Sequence, residues 1–111
     1  MKVEWLYEAR NEYRDILQFY RGQVGTKYAR TFADKILKAA RQLSSFPESG
    51  VLKRETLMGK YGFRALFIDQ YVLIYKIQGE TVYIYHLKDA RKDYIYQIFG
   101  LCLLYTSPSP R

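Results

Sequence analysis

The sequence predicts an α+β fold. It consists of an N-terminal strand, an antiparallel helical hairpin packed on a mainly antiparallel four-stranded sheet in the order β-α-α-β-β-β, and a short C-terminal helix. Three observations predict it. Phe63–Asp69, Tyr71–Ile77 and Thr81–Leu87 are rich in Val, Ile, Phe and Tyr, residues that fit a pleated, half-buried surface. Ahead of them, two stretches repeat their apolar residues at helical spacing. Both faces of the three strands carry large apolar groups, so the sheet needs a cover, and the upstream helices are the elements available to supply it.

Taken in order, Lys2–Leu6 is short and apolar at Val3, Trp5 and Leu6, and reads as an edge strand. From Glu8 the period becomes helical: Ala9, Tyr13, Ile16, Leu17 and Tyr20 share one face, and Arg10, Glu12, Arg14 and Asp15 fill the other. Gly22 to Gly25 is expected to break this helix. Thr26 is placed to cap a second one. Its apolar stripe is Tyr28, Phe32, Ile36, Leu37, Ala40 and Leu43, and its outer face holds Lys27, Arg30, Lys35, Lys38 and Arg41 with Asp34 as the only acid. That basic face is either solvated or a binding surface. Pro47 ends the helix, because it cannot continue one and disfavours helix at Phe46.

Val51–Lys60 reads as a loop or a short helix that could fold over the open side of the sheet. Asp69-Gln70 and Gln78-Gly79-Glu80 are short enough to be hairpin turns. Asp89 would cap a charged C-terminal helix if Lys88 to Lys92 is an ordinary helix start rather than a phosphate-binding cluster. The domain is expected to close near Gly100. Leu101–Arg111 has no period that fits what precedes it; it resembles a translated adaptor sequence and is expected to lie outside the domain, Cys102 included.

At 111 residues the chain has room for one domain with a modest core. An apolar content of 49% argues against disorder. The 18 Lys and Arg against 11 acids give a formal charge of +7, a balance that suits nucleic acid, a ribosome or an acidic protein partner. One cysteine excludes an internal disulfide framework, and one histidine excludes a multi-His metal site. Neither a signal peptide nor an apolar run of membrane-spanning length is present in the sequence, so a cytoplasmic protein is expected.

Four segments, in order, resemble the RelE/ParE superfamily, the toxins of type II toxin–antitoxin modules. VEWLYEARNEYRDILQFY looks like the family's first strand running into its first helix. SSFPESG resembles the motif that ends its second helix. YGFRALFIDQYVLIYKI resembles its glycine–arginine strand followed by spaced tyrosines, and VYIYHLKDARKDY resembles its last strand and basic exit. The likeness covers about Val3 to Phe99.

The resemblance implies one of two biochemistries. RelE-like members cut ribosome-bound mRNA; ParE-like members poison DNA gyrase and cleave nothing themselves. Cleavage by 2′-hydroxyl attack needs a base, an acid and cations that stabilise the phosphorane. The candidate catalytic residues are Arg64, Arg91, Tyr94 and His86; Lys53, Arg54, Lys60, Lys88 and Lys92 are candidates for holding phosphate or RNA. Arg64 matches the family's strand arginine, and is either a bidentate phosphate ligand or one half of a salt bridge with Asp69 or Asp93. Arg91 is either a phosphate ligand or part of an ordinary charged helix start. By alternation, His86 falls on the face of Val82 and Ile84. The expected function is a toxin that inhibits translation by ribosome-dependent mRNA cleavage, with a gyrase poison as the alternative. The implied partners are a small acidic antitoxin and the ribosome with its mRNA, or else DNA gyrase. No metal, small-molecule cofactor or membrane is implied.

Overall fold

The computed structural model describes residues 1–95 and 98. The elements are β1 (Lys2–Trp5), α1 (Tyr7–Phe19), a π-helical turn (Tyr20–Val24), α2 (Thr26–Ser45), α3 (Leu57–Lys60), β2 (Arg64–Ile68), β3 (Tyr71–Gln78) and β4 (Thr81–Asp89). The sheet order is β1-β4-β3-β2. β1 is an edge strand as expected, and runs parallel to β4; the other two pairings are antiparallel. Tyr94, Ile95 and Ile98 are helical.

The sheet separates two apolar layers. Tyr71, Leu73 and Tyr75 of β3 pack with Val82, Ile84 and Leu87 of β4 against Ala9 of α1 and against Phe32, Ile36, Ala39, Ala40 and Leu43 of α2. The interhelical seam is aromatic: Tyr13 stacks on Phe32 with ring centroids 5.7 Å apart, and Phe32 meets Tyr71 edge-on at 5.1 Å. On the opposite face Val72 and Ile74 pack with Ala65, Phe63 and Met58 of α3, while Tyr94, Ile95 and Ile98 add partial cover. The segment between α2 and β2 thus does close over the second face.

Several local expectations are corrected. The break expected over Gly22 to Gly25 falls at its last residue: the chain continues through a π-helical turn to Val24, and Gly25, at φ 145°, ends it. Thr26 is the first residue of α2, not its cap, and the capping position is Gly25. Asp89 ends β4 and accepts the Arg91 N–H at 2.9 Å, so it shapes the turn after the strand and caps no helix. Asp69 has a φ of 55°, which a short polar side chain tolerates in a tight turn between β2 and β3.

One irregularity moves a predicted site residue. His86 pairs with Ile74, but Ile84 pairs with Tyr75, so Tyr85 is an extra residue on β4. Past this bulge the alternation is reversed. Leu87 joins Val82 and Ile84 under the helical hairpin, and His86 does not follow them there.

Candidate functional site

Two polar constellations stand out, one on the β2–β3 side of the sheet and one along the outer edge of β4. The first is built on Tyr75, which has no solvent exposure. Its hydroxyl donates to the Pro47 carbonyl at 2.7 Å and accepts the Gly50 N–H at 2.8 Å. Arg64 lies directly across from Tyr75 on β2, and its Nη1 donates to the Gly50 carbonyl at 3.0 Å. Val51 then bridges to Ala65, which stitches the loop after α2 onto the edge of the sheet. A side chain at Gly50 would bring Cβ to 2.7 Å from the Tyr75 ring, so only glycine lets the loop approach this closely. Burial pushes the Tyr75 hydroxyl above its ordinary titration range, and the Gly50 N–H partly offsets this.

The second constellation joins α1 to β4. β1 ends opposite Ile84, so β4 has a free backbone edge beyond that point, and α1 runs alongside it. Glu12 fills the gap. Its carboxylate accepts the Leu87 N–H at 2.9 Å and the Lys88 ammonium at 2.8 Å, and pairs with His86 Nδ1 at 3.2 Å. Burial pushes the Glu12 carboxyl up, but the hydrogen bonds from His86, Lys88 and Leu87 outweigh it and hold the group below the usual glutamate range. Glu8 adds a further carboxylate, and ligand atoms of Glu8, Glu12 and His86 lie within 4.8 Å of one another. Lys88 already neutralises Glu12, so the arrangement is a paired charge network.

Beside this network a cleft of about 480 Å³ opens between α1, the π-helical turn and the end of β4. Its floor is Tyr71, whose hydroxyl hydrogen-bonds that of Tyr20 at 2.8 Å and accepts from Gln70. Burial and the Tyr20 hydroxyl push Tyr71 far above the ordinary phenol range. At the rim Arg91 grips Asp89 through two side-chain hydrogen bonds, Nε at 3.0 Å and Nη2 at 2.8 Å. That pair holds the Asp89 carboxyl below its usual range.

The predicted residues therefore fall in separate places. His86, Lys88, Arg91 and Lys92 gather along the end of β4 and the turn after it. Arg64 belongs to the other constellation. Its strand level is that of Tyr75, whereas Asp89 is level with Tyr71, four residues along β3 and about 13 Å away at strand rise. Asp69, one proposed partner of Arg64, instead takes Lys35 at 2.7 Å. Tyr94 packs on the second apolar layer, and burial raises its hydroxyl. Lys53, Arg54 and Lys60 are exposed on the loop and helix before β2. Thr56 pins that loop, donating to the Lys53 carbonyl at 2.7 Å and accepting the Gly59 N–H at 3.1 Å. Glu12 is the residue the sequence reading missed. Its signal was an acid lying three residues after Ala9 and four before Ile16, on the apolar stripe itself.

The model of the ParE toxin of the type II toxin–antitoxin system parDE matches residues 3–94. The chain belongs to the ParE toxin family. Among solved structures the fold is similar to a chromosomal ParDE toxin–antitoxin system from P. aeruginosa. That likeness has a TM-score of 0.66 at 17% identity and covers 80% of this chain and 95% of that one. Among curated proteins compared by sequence, none matches. Within the family frame, the SSFPESG, glycine–arginine and spaced-tyrosine segments have a structural reason in this chain: Pro47, Gly50, Arg64 and Tyr75 are joined in one clamp. No helix among the described residues is long and apolar enough to cross a membrane.

Proposed function

We propose that this toxin acts by binding DNA gyrase, cleaves no RNA, and is held inactive by an acidic antitoxin. The observation that carries the reading is the match to the ParE toxin model over residues 3–94. The geometry supports it. Cleavage needs an acid, a base and phosphorane-binding cations around one phosphate. Here Arg64 is tied to the Gly50 carbonyl, His86 to Glu12, Arg91 to Asp89, and Tyr94 is packed on the sheet. The formal charge of +7 favours an acidic partner, and the ParDE name of the structural neighbour is consistent with an antitoxin as that partner.

The test is induction of the chain in a bacterial host with DNA and protein synthesis followed in parallel by pulse labelling. DNA synthesis is expected to fail first, with loss of supercoiling by purified gyrase in the presence of the toxin. Arrest of protein synthesis first, with DNA synthesis continuing, overturns the reading. The ribosome and its mRNA then become the target, with Arg64, Arg91, Tyr94 and His86 as the residues to substitute.

A further inference from the structure

We propose that the outer face of the α1–α2 hairpin binds the phosphate backbone of duplex DNA. The charges of α1 are sorted by side. Glu12 and Asp15 line the cleft toward β4, and Glu8 borders the hollow beside His86. Arg10 and Arg14, four residues apart on α1, share one stripe, Arg21 follows in the π-helical turn, and all three are exposed. On α2 Lys27, Arg30, Lys38 and Arg41 form a second exposed stripe, with Asp34 as its only acid.

Arg10 and Arg14 share a hollow of about 520 Å³ with Leu37 of α2, so the α1 stripe borders the second helix. The α2 stripe is about 21 Å long at helical rise. Packed helices lie about 8–10 Å apart, a separation comparable to the groove widths of B-DNA.

Several cations elsewhere are engaged: Lys35 with Asp69, Lys88 with Glu12, Arg91 with Asp89. The seven cations of the hairpin make no side-chain hydrogen bond or ion pair with any described residue. Seven like charges held exposed on two rigid helices attract a polyanion. Phosphate backbone fits better than an acidic protein, because the seven cations run along the length of the hairpin as a line of charges, whereas Val3, Trp5, Tyr13 and Leu37 gather in one hollow that also holds Glu4.

The inference goes beyond the gyrase reading and is tested without gyrase present. The full chain is titrated onto a fluorescently labelled 20-base-pair duplex by anisotropy between 50 and 200 mM salt. The logarithm of the binding constant is expected to fall with the logarithm of salt with a slope of about −4 to −6. Two independent pairs, Arg10→Ala with Arg14→Ala and Lys27→Ala with Lys38→Ala, each flatten that slope by about 2. Both lie on exposed positions and leave the melting temperature unchanged. Lys53→Ala with Lys60→Ala removes the same net charge on the segment that covers the opposite face of the sheet, and leaves the slope as it was. A wild-type slope no steeper than about −1 overturns the proposal, as does equal flattening by the control pair. Tighter binding to polyglutamate than to the duplex at the same salt also overturns it, in favour of an acidic protein partner.

Discussion

Arg64 and Arg91 are the two arginines the sequence offers as catalytic candidates, and the structure gives them opposite surroundings. Arg64 is half-buried and reaches inward to the Gly50 carbonyl, in a clamp that also uses Tyr75 and Pro47. Arg91 is solvent-exposed and turns back on Asp89, two residues away. The first closes a long-range contact between the loop after α2 and the sheet; the second only shapes a local turn. A cation's type says little about its work, because that depends on which backbone the fold brings within reach.

The comparison breaks most sharply at Tyr75. Tyr75→Ala removes a fully buried ring and both hydroxyl bonds, and is expected to cost about 3–5 kcal/mol in urea unfolding. Gly50→Ala forces a methyl group against the Tyr75 ring and the Ala65 backbone, and is expected to cost about 2–3 kcal/mol. If Gly50→Ala proves neutral, the loop is not closed over Tyr75 as described.

Glu12 sharpens the other constellation. Glu12→Gln weakens the acceptor for Lys88, His86 and the Leu87 N–H, and is expected to cost about 1–2 kcal/mol at neutral pH. Its carboxyl titrates lower in the folded than in the unfolded chain. The stability it contributes is therefore complete above the ordinary glutamate range and is lost as pH falls through the depressed folded value. Unfolding measured from neutral pH into acid should show wild type losing stability faster than Glu12→Gln, with the two curves converging.

Arg64→Ala is expected to cost about 1 kcal/mol, the net value of one hydrogen bond to a part-buried carbonyl. Arg91→Ala is expected to leave the melting temperature unchanged, because its pair with Asp89 is exposed. Any loss of growth inhibition in Arg91→Ala then reports a contact with the target. The same loss in Arg64→Ala must first be corrected for stability.

Alternating Val, Ile and Tyr over residues 63–87, and helical spacing over residues 8–20 and 26–43, were enough to determine an α+β chain with three meandering strands and a helical hairpin. Those patterns are local, and they require one stripe of each helix and the faces of the strands to be buried. The basic outer face of α2 was legible for the same reason. Three things were decided only by tertiary structure. The bulge at Tyr85 reversed the faces of His86 and Leu87, since one extra residue shifts a period of two. Glu12, read as a surface acid, became the acceptor for β4 because β1 is too short to cover that edge. Arg64 and Arg91, both read as phosphate ligands, were kept apart, Arg64 on β2 level with Tyr75 and Arg91 past Asp89, which is level with Tyr71, because strand register decides which side chains meet.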